Sequence, residues 1–214
     1  MAPFLLHCFA QSGYSYKVAL ALQLAGADWS PRFVDFFGGE TRTPAYHAIN
    51  AMGEVPVLEH GDLRLSQSGV ILDYLAGPGG PFPQFGPASE AERREILRWT
   101  LFDNHKLSSH IATLRYQLQF AKTGETPVTA FLRGRMAVAL KTLEQHLATR
   151  SFVVAERLTT ADLSLCGYLF WPAEYGVDWA DYPAIGAWLQ RIQGQPGWVA
   201  PYGLMPGHPR PQDI

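Results

Sequence analysis

Cysteine is nearly absent from this 214-residue chain, with only Cys8 and Cys166 present. Two isolated thiols supply neither a disulfide framework nor metal-ligand spacing, and a reducing cytoplasm is the expected setting. Charge of one sign is also lacking. A net charge of −2 and the lack of any basic run exclude the electrostatic footprint of a nucleic-acid binder. No apolar run approaches the length of a membrane span. The apolar stretch Phe4–Ala10 has no basic residues ahead of it and runs straight into a helical pattern, so it reads as a buried strand rather than a signal segment. Nucleophile elbow, phosphate loop and dinucleotide fingerprint are missing too. His105 and His110, five residues apart, fall on different helix faces and make no metal pair.

What is present is enough apolar material, 47% of residues, for a sizeable core. The first part alternates strand and helix. After the Phe4–Phe9 strand, Tyr14, Val18, Ala21, Leu22 and Ala25 share a helical face that Gly26 can end. A second strand is expected over Trp29–Phe36, followed by a polar stretch over Phe37–Tyr46. Residues 77–87 are too rich in glycine and proline for a regular element and read as a linker. Helical patterns follow. Ser89 and Glu92 form a capping box ahead of a long helix bearing Ile96, Trp99, Leu107, Ile111 and Leu114. Thr126-Pro127 opens another helix, with Leu132, Met136, Leu140, Leu143 and Leu147 inward. Asp181 and Pro183 open a last one, and residues 201–214 form a proline-bearing tail. The expected division is 1–76, a mixed α/β domain; 77–88, the linker; and 89–214, an all-α domain.

The densest signal is the stretch from Met52 to Ser68. It reads as two short strands, Val55–Leu58 and Leu63–Leu65, joined at His60-Gly61-Asp62, with a helix opening at Ser66-Gln67-Ser68. Proline cannot donate to a sheet ladder, so Pro56 belongs at an edge, at a bulge or in a cis bond. A strand edge beside a hydroxyl-rich helix start suits a peptide-like anion; an ordinary hairpin and a capped helix would use the same residues.

Val55-Pro56 followed by Gln67-Ser68 resembles the glutathione-binding half of the glutathione S-transferase family. A second motif agrees. Leu158-Thr159-Thr160-Ala161-Asp162-Leu163 places Thr159 at an N-cap with Asp162 three residues on, and the same box recurs in the family's second domain. The resemblance implies a thioredoxin-like domain followed by an all-helical one, glutathione as co-substrate and a homodimer. It also implies that Val55 pairs through its backbone with the cysteinyl part of glutathione, beside cis Pro56. Gln67 and Ser68 would hold the γ-glutamyl group.

Conjugation needs the thiolate, and a free thiol ionises only near pH 8.5. A hydrogen-bond donor at a helix start lowers that value. The first strand has no tyrosine, so the tyrosine-type pattern does not fit. Ser12, a few residues before Lys17-Val18, matches the serine-type pattern and is the expected thiolate donor, with a plain helix cap as its other use. Tyr14 stands where cysteine-type members carry their cysteine, and Ser15 is the other hydroxyl within reach. Glu54 departs from the family's usual Lys or Gln, which turns attention to His47 and Arg42 as basic partners. Asp103 and Asn104 are candidates to reach glutathione across a dimer. Tyr116, Phe120 and Tyr168, with Trp99 and Trp171, are candidate walls of a pocket for a small hydrophobic electrophile. The expected activity is glutathione transfer. Glutathione-dependent isomerisation, dehalogenation or disulfide and peroxide reduction stand as alternatives, as does a non-catalytic binding module.

Overall fold

The computed structural model describes residues 3–209. Residues 1–2 and 210–214, the extreme ends of the expected domains and part of the expected tail, lie outside the described residues. The chain begins with β1 (Phe4–Cys8), α1 (Gly13–Leu24), β2 (Trp29–Phe33), the single turn α2 (Pro44–His47), β3 (Val57–His60), β4 (Leu63–Ser66) and α3 (Ser68–Ala76). The four strands form one sheet in the order β2-β1-β3-β4. β1 runs parallel to β2 and antiparallel to β3, with Leu6 opposite both Pro31 and Leu58. This is a thioredoxin-like sheet, and β1 at its centre is buried on both faces, so His7 is as shielded as Leu6 and Cys8.

The expected strand bounds shift by one to three residues, most at β2 and β3. β2 stops at Phe33 because the chain turns back on itself, Asp35 accepting from the Gly38 N–H and Glu40 from the Asp35 N–H. β3 starts at Val57 rather than Val55, because Pro56 has no N–H for the ladder and follows a cis peptide bond.

After residue 89 the chain is helical. α4 (Glu90–Phe102) and α5 (Ser108–Arg115) form one rod interrupted by a π-helical turn at Asp103–Leu107 and ended by another at Tyr116–Phe120. Then come α6 (Pro127–Leu147), α7 (Thr160–Leu165), α8 (Pro183–Gln193) and the short α9 (Pro201–Leu204). The inward residues expected on the long rod and on α6 are all buried. Ser89 caps α4 by accepting the Glu92 N–H at 3.1 Å, while the Glu92 carboxylate takes the Ala88 N–H at 2.8 Å rather than that of Ser89.

α1 decides how the two halves meet. A single apolar face was expected, yet Ser15, Tyr16, Lys17, Val18, Ala19, Leu20, Ala21 and Leu22 are all buried. The sheet covers one side, and α7 with the turn after it covers the other. A helix enclosed all round shows little amphipathicity. Its one charge, Lys17, is paired with Asp103 of the π turn, and both side chains are fully shielded from solvent.

α7 hangs on its cap. Asp162 accepts from the Thr159 N–H at 2.8 Å and the Thr159 hydroxyl at 2.9 Å. It also accepts from the Val153 N–H at 2.8 Å and Trp188 Nε1 at 3.0 Å. One buried carboxylate thus fixes the start of α7, the preceding loop and α8.

Candidate functional site

The sheet's C-terminal edge, the start of α1, the start of α3 and the inner face of α5 surround a cavity of about 430 Å³. Ser12, Tyr14, Val55, Pro56, Gln67, Ser68, Tyr116, Phe120 and Tyr168 all line it. Residues from five separate segments therefore converge on one space, and sequence spacing had linked only two pairs of them.

At the α3 end, the Val55–Pro56 bond is cis. Gln67 caps α3 with φ 69 and ψ 113, a left-handed value uncommon for a residue with a side chain. Such backbone at a helix start is stable only where surrounding contacts hold it. Here the Gln67 amide donates to Glu54 Oε2 at 3.0 Å, and Ser68 is buried at the first position of α3. Free N–H groups and the helix dipole at this end favour a carboxylate.

At the α1 end, Ser12 is the N-cap. Its Oγ accepts the Ser15 N–H at 3.1 Å, leaving the hydroxyl proton to be donated elsewhere. Ser15 corrects an expectation: it is fully buried inside the helix and does not line the cavity. Tyr14 is half-buried, its ring edge-on to Tyr168 at 5.3 Å with the Lys17 ammonium 4.5 Å from its centroid. Burial, with lesser repulsion from Tyr168, Asp103 and Glu54, pushes the Tyr14 phenol well above its ordinary pKa. Burial likewise raises the Cys8 thiol to about 12 and pushes Cys166 up further, so neither free cysteine is a thiolate near neutral pH.

The basic partners expected near Glu54 are elsewhere. His47 is exposed and faces the Ala51 carbonyl at 3.2 Å, and neither it nor Arg42 lines the cavity. The cavity's cation is Arg115, which the sequence reading missed. It is 1% exposed, donates to the Gln11 carbonyl at 2.5 Å, to Glu174 Oε2 at 2.7 Å and to the Tyr202 hydroxyl at 3.1 Å, and lies 4.0 Å over the Trp171 ring. A signal existed: Arg115 is four residues after Ile111, hence on the same inward face. Asn104 lines the cavity, whereas Asp103 is committed to Lys17, Ser108 and Ser164.

The opposite wall is aromatic. Phe120 and the half-exposed Tyr116 meet Phe9, Phe36 and Phe37, with Phe37 4.8 Å from Phe120. The sequence reading had passed over Phe36 and Phe37 as part of a strand and a polar stretch. Of the other candidate walls, Trp171 lies behind Arg115 and Trp99 packs against His146 at 4.3 Å, both outside the cavity lining. Among the described residues no cluster of His, Cys, Asp and Glu could hold a metal ion, and no helix is long and apolar enough to cross a membrane.

The fold is shared with known proteins. A family model for the glutathione S-transferase N-terminal domain matches residues 5–77, and one for the C-terminal domain matches residues 105–196. The chain is 32% identical to a glutathione S-transferase from Pseudomonas fluorescens Pf-5 whose crystal structure superposes with a TM-score of 0.86, over 93% of this chain and 98% of that one. It is 30% identical over 201 residues to the glutathione S-transferase-like protein LUC7 of a Fusarium species, covering 89% of each chain. It is also 30% identical to a maleylacetoacetate isomerase of Pseudomonas aeruginosa, covering 84% of this chain and 86% of that one.

Proposed function

Because the chain belongs to the glutathione S-transferase family of enzymes, we propose that it binds glutathione in the 430 Å³ cavity and delivers its thiolate to a small hydrophobic electrophile. The observation that carries this reading is the convergence of cis Val55–Pro56, Gln67-Ser68 and the Ser12 helix start on one space. The γ-glutamyl carboxylate lies at the start of α3, against Ser68 and the unpaired N–H groups there. The cysteinyl part lies along Val55, which precedes β3 and leaves its backbone outside the ladder. The sulfur then faces the start of α1, where the dipole and nearby hydroxyls favour negative charge. The aromatic wall of Phe36, Phe37, Tyr116 and Phe120 receives the electrophile.

Lowering a thiol pKa by two units takes about 2.7 kcal/mol of preferential stabilisation of the thiolate. The test is a pH titration of thiolate absorbance for glutathione bound to the purified protein. A bound-thiol pKa well below about 8.5 supports activation. Binding without a shift favours a non-catalytic module, and no binding rejects the reading.

Isomerisation is the second reading. It uses the same thiolate, and the 30% identity to a maleylacetoacetate isomerase favours it. A panel of electrophiles, cis-enediones, peroxides and mixed disulfides separates the reactions. The enzyme acts as a homodimer in the cytoplasm. For the dimer, the supporting feature is a groove of about 500 Å³ between α3 and α4, bordered by the exposed apolar residues Val70, Leu97 and Leu101. Sedimentation of the purified protein at micromolar concentration tests the dimer.

A further inference from the structure

We propose that Tyr168, supplied by the helical half, is the group that donates a hydrogen bond to the glutathione thiolate, while Ser12 and the first amides of α1 support it from behind. The proposal rests on the glutathione reading above.

The argument starts from where the ring is held. Tyr168 closes a 3₁₀ turn, Cys166–Tyr168, that follows α7 directly, so the Asp162 cap fixes its position. Its ring lies against Gly13. A Cβ at Gly13 would stand 2.4 Å from Cδ2 and 2.5 Å from Cγ of that ring, so only glycine allows the approach. Tyr14 packs edge-on at 5.3 Å and Trp171 at 5.9 Å, and the Tyr168 carbonyl accepts the Tyr175 hydroxyl at 3.2 Å. The ring is 6% exposed and still lines the cavity. A side chain wedged on several sides loses little freedom when it binds a ligand atom.

The hydroxyl faces useful neighbours. Ser12 and the Gly13 and Tyr14 amides each favour negative charge on the phenol oxygen, as does the Arg115 guanidinium. Hydrogen bonds given to an O–H oxygen polarise it and strengthen the bond it donates. Burial outweighs these groups and raises the Tyr168 pKa to about 12, so the proton stays on the phenol through neutral pH. A donor that keeps its proton is what a thiolate acceptor needs. When glutathione binds, its thiol proton passes to bulk water and Tyr168 retains its own. Ser12 accepts the Ser15 N–H on its oxygen and turns its own proton toward the Tyr168 phenol, so it acts behind that phenol rather than on the sulfur. β1, with Phe4 to Cys8, offers no tyrosine of its own.

The experiment compares wild type, Tyr168→Phe and a site-specific 3-fluorotyrosine at 168, each checked for native circular dichroism. The expected result for Tyr168→Phe is glutathione affinity near wild type, a bound-thiol pKa raised by about one unit or more, and kcat lower by about a hundredfold. The fluorotyrosine, a more acidic phenol of nearly the same shape, moves the bound-thiol pKa downward. An unchanged thiol pKa in Tyr168→Phe, with a depressed one in wild type, overturns the role of Tyr168 alone. A wild-type protein with an ordinary bound-thiol pKa overturns thiolate activation as a whole, and this proposal with it.

Discussion

Lys17 and Asp103 form an ion pair that joins α1 to the π turn of the long helical rod, both side chains lying fully out of solvent. Ser108 and Ser164 each donate to the Asp103 carboxylate at 2.6 Å, so the acid is satisfied from three elements at once. The π turn widens the rod where Asp103 must point inward. Burial lowers the Lys17 pKa, and the Asp103 charge and hydrogen bond oppose that shift.

Breaking this pair strands a charge. Asp103→Ala is expected to cost about 3–5 kcal/mol, because Lys17 is left uncompensated in the interior. Replacing both partners with Lys17→Met and Asp103→Leu is expected to cost much less than that single change. Urea unfolding of the two variants checks the order; equal losses would show that the charge is not what the site depends on.

Glu54 places a negative charge on the cavity rim and holds the Gln67 amide at 3.0 Å. Glutathione is an anion, so Glu54 repels it while occupying a side chain proposed to bind it. Glu54→Gln is expected to tighten glutathione binding severalfold, an effect of about 1 kcal/mol for a surface charge. The gain should shrink as salt is raised. Calorimetric titration at two ionic strengths measures both, and weaker binding by the variant would mean that the Glu54 carboxylate itself contributes to the site.

The α7 cap separates two kinds of loss. Thr159→Ala removes a capping hydroxyl and is expected to cost about 1 kcal/mol. Asp162→Ala leaves the Val153 and Thr159 N–H groups and Trp188 Nε1 without their buried acceptor, at about 1–3 kcal/mol for each group left unsatisfied. It should also loosen Tyr168, which follows α7 directly. Thermal unfolding together with glutathione affinity tests both, and equal destabilisation by the two substitutions would contradict the shared-carboxylate account.

Three histidines set the acid limit. Burial lowers the pKa of His7, of His146 and of His208 below the ordinary 6.5. Glu59, 3.2 Å from His7, opposes the shift without cancelling it. Below pH 6.5 the unfolded chain therefore binds more protons than the folded one, and stability falls as pH drops toward the lowered folded values. Above pH 6.5 this contribution is complete. Melting temperatures between pH 7.5 and 5 should decline, and His7→Gln should make the decline shallower; a flat wild-type profile would refute the account.

Much of the protein was legible one segment at a time. Capping at Ser89, Thr126 and Thr159 and the apolar spacing of α6 depend on residues within a few positions of each other, and local rules govern them. Val55-Pro56 and Gln67-Ser68 were readable because their meaning is carried by backbone geometry at fixed positions. The errors also have local causes. α1 read as one-sided because its sequence does not say that a second half covers it. Pro56 was placed inside a strand that begins one residue later.

By itself, the sequence determined the thioredoxin-like and helical halves, the helix starts and the residues proposed to meet glutathione's backbone. Only the tertiary structure decided what surrounds the sulfur. Ser12 and Tyr168 are far apart in the chain, as are Gln11 and Arg115, and no spacing rule joins them. They meet because α7 packs across α1, an arrangement set by non-local burial of apolar surface, and because Gly13 leaves room for the Tyr168 ring. A glycine reads in sequence as freedom; here it is the space that lets one half of the molecule place a hydroxyl in the other.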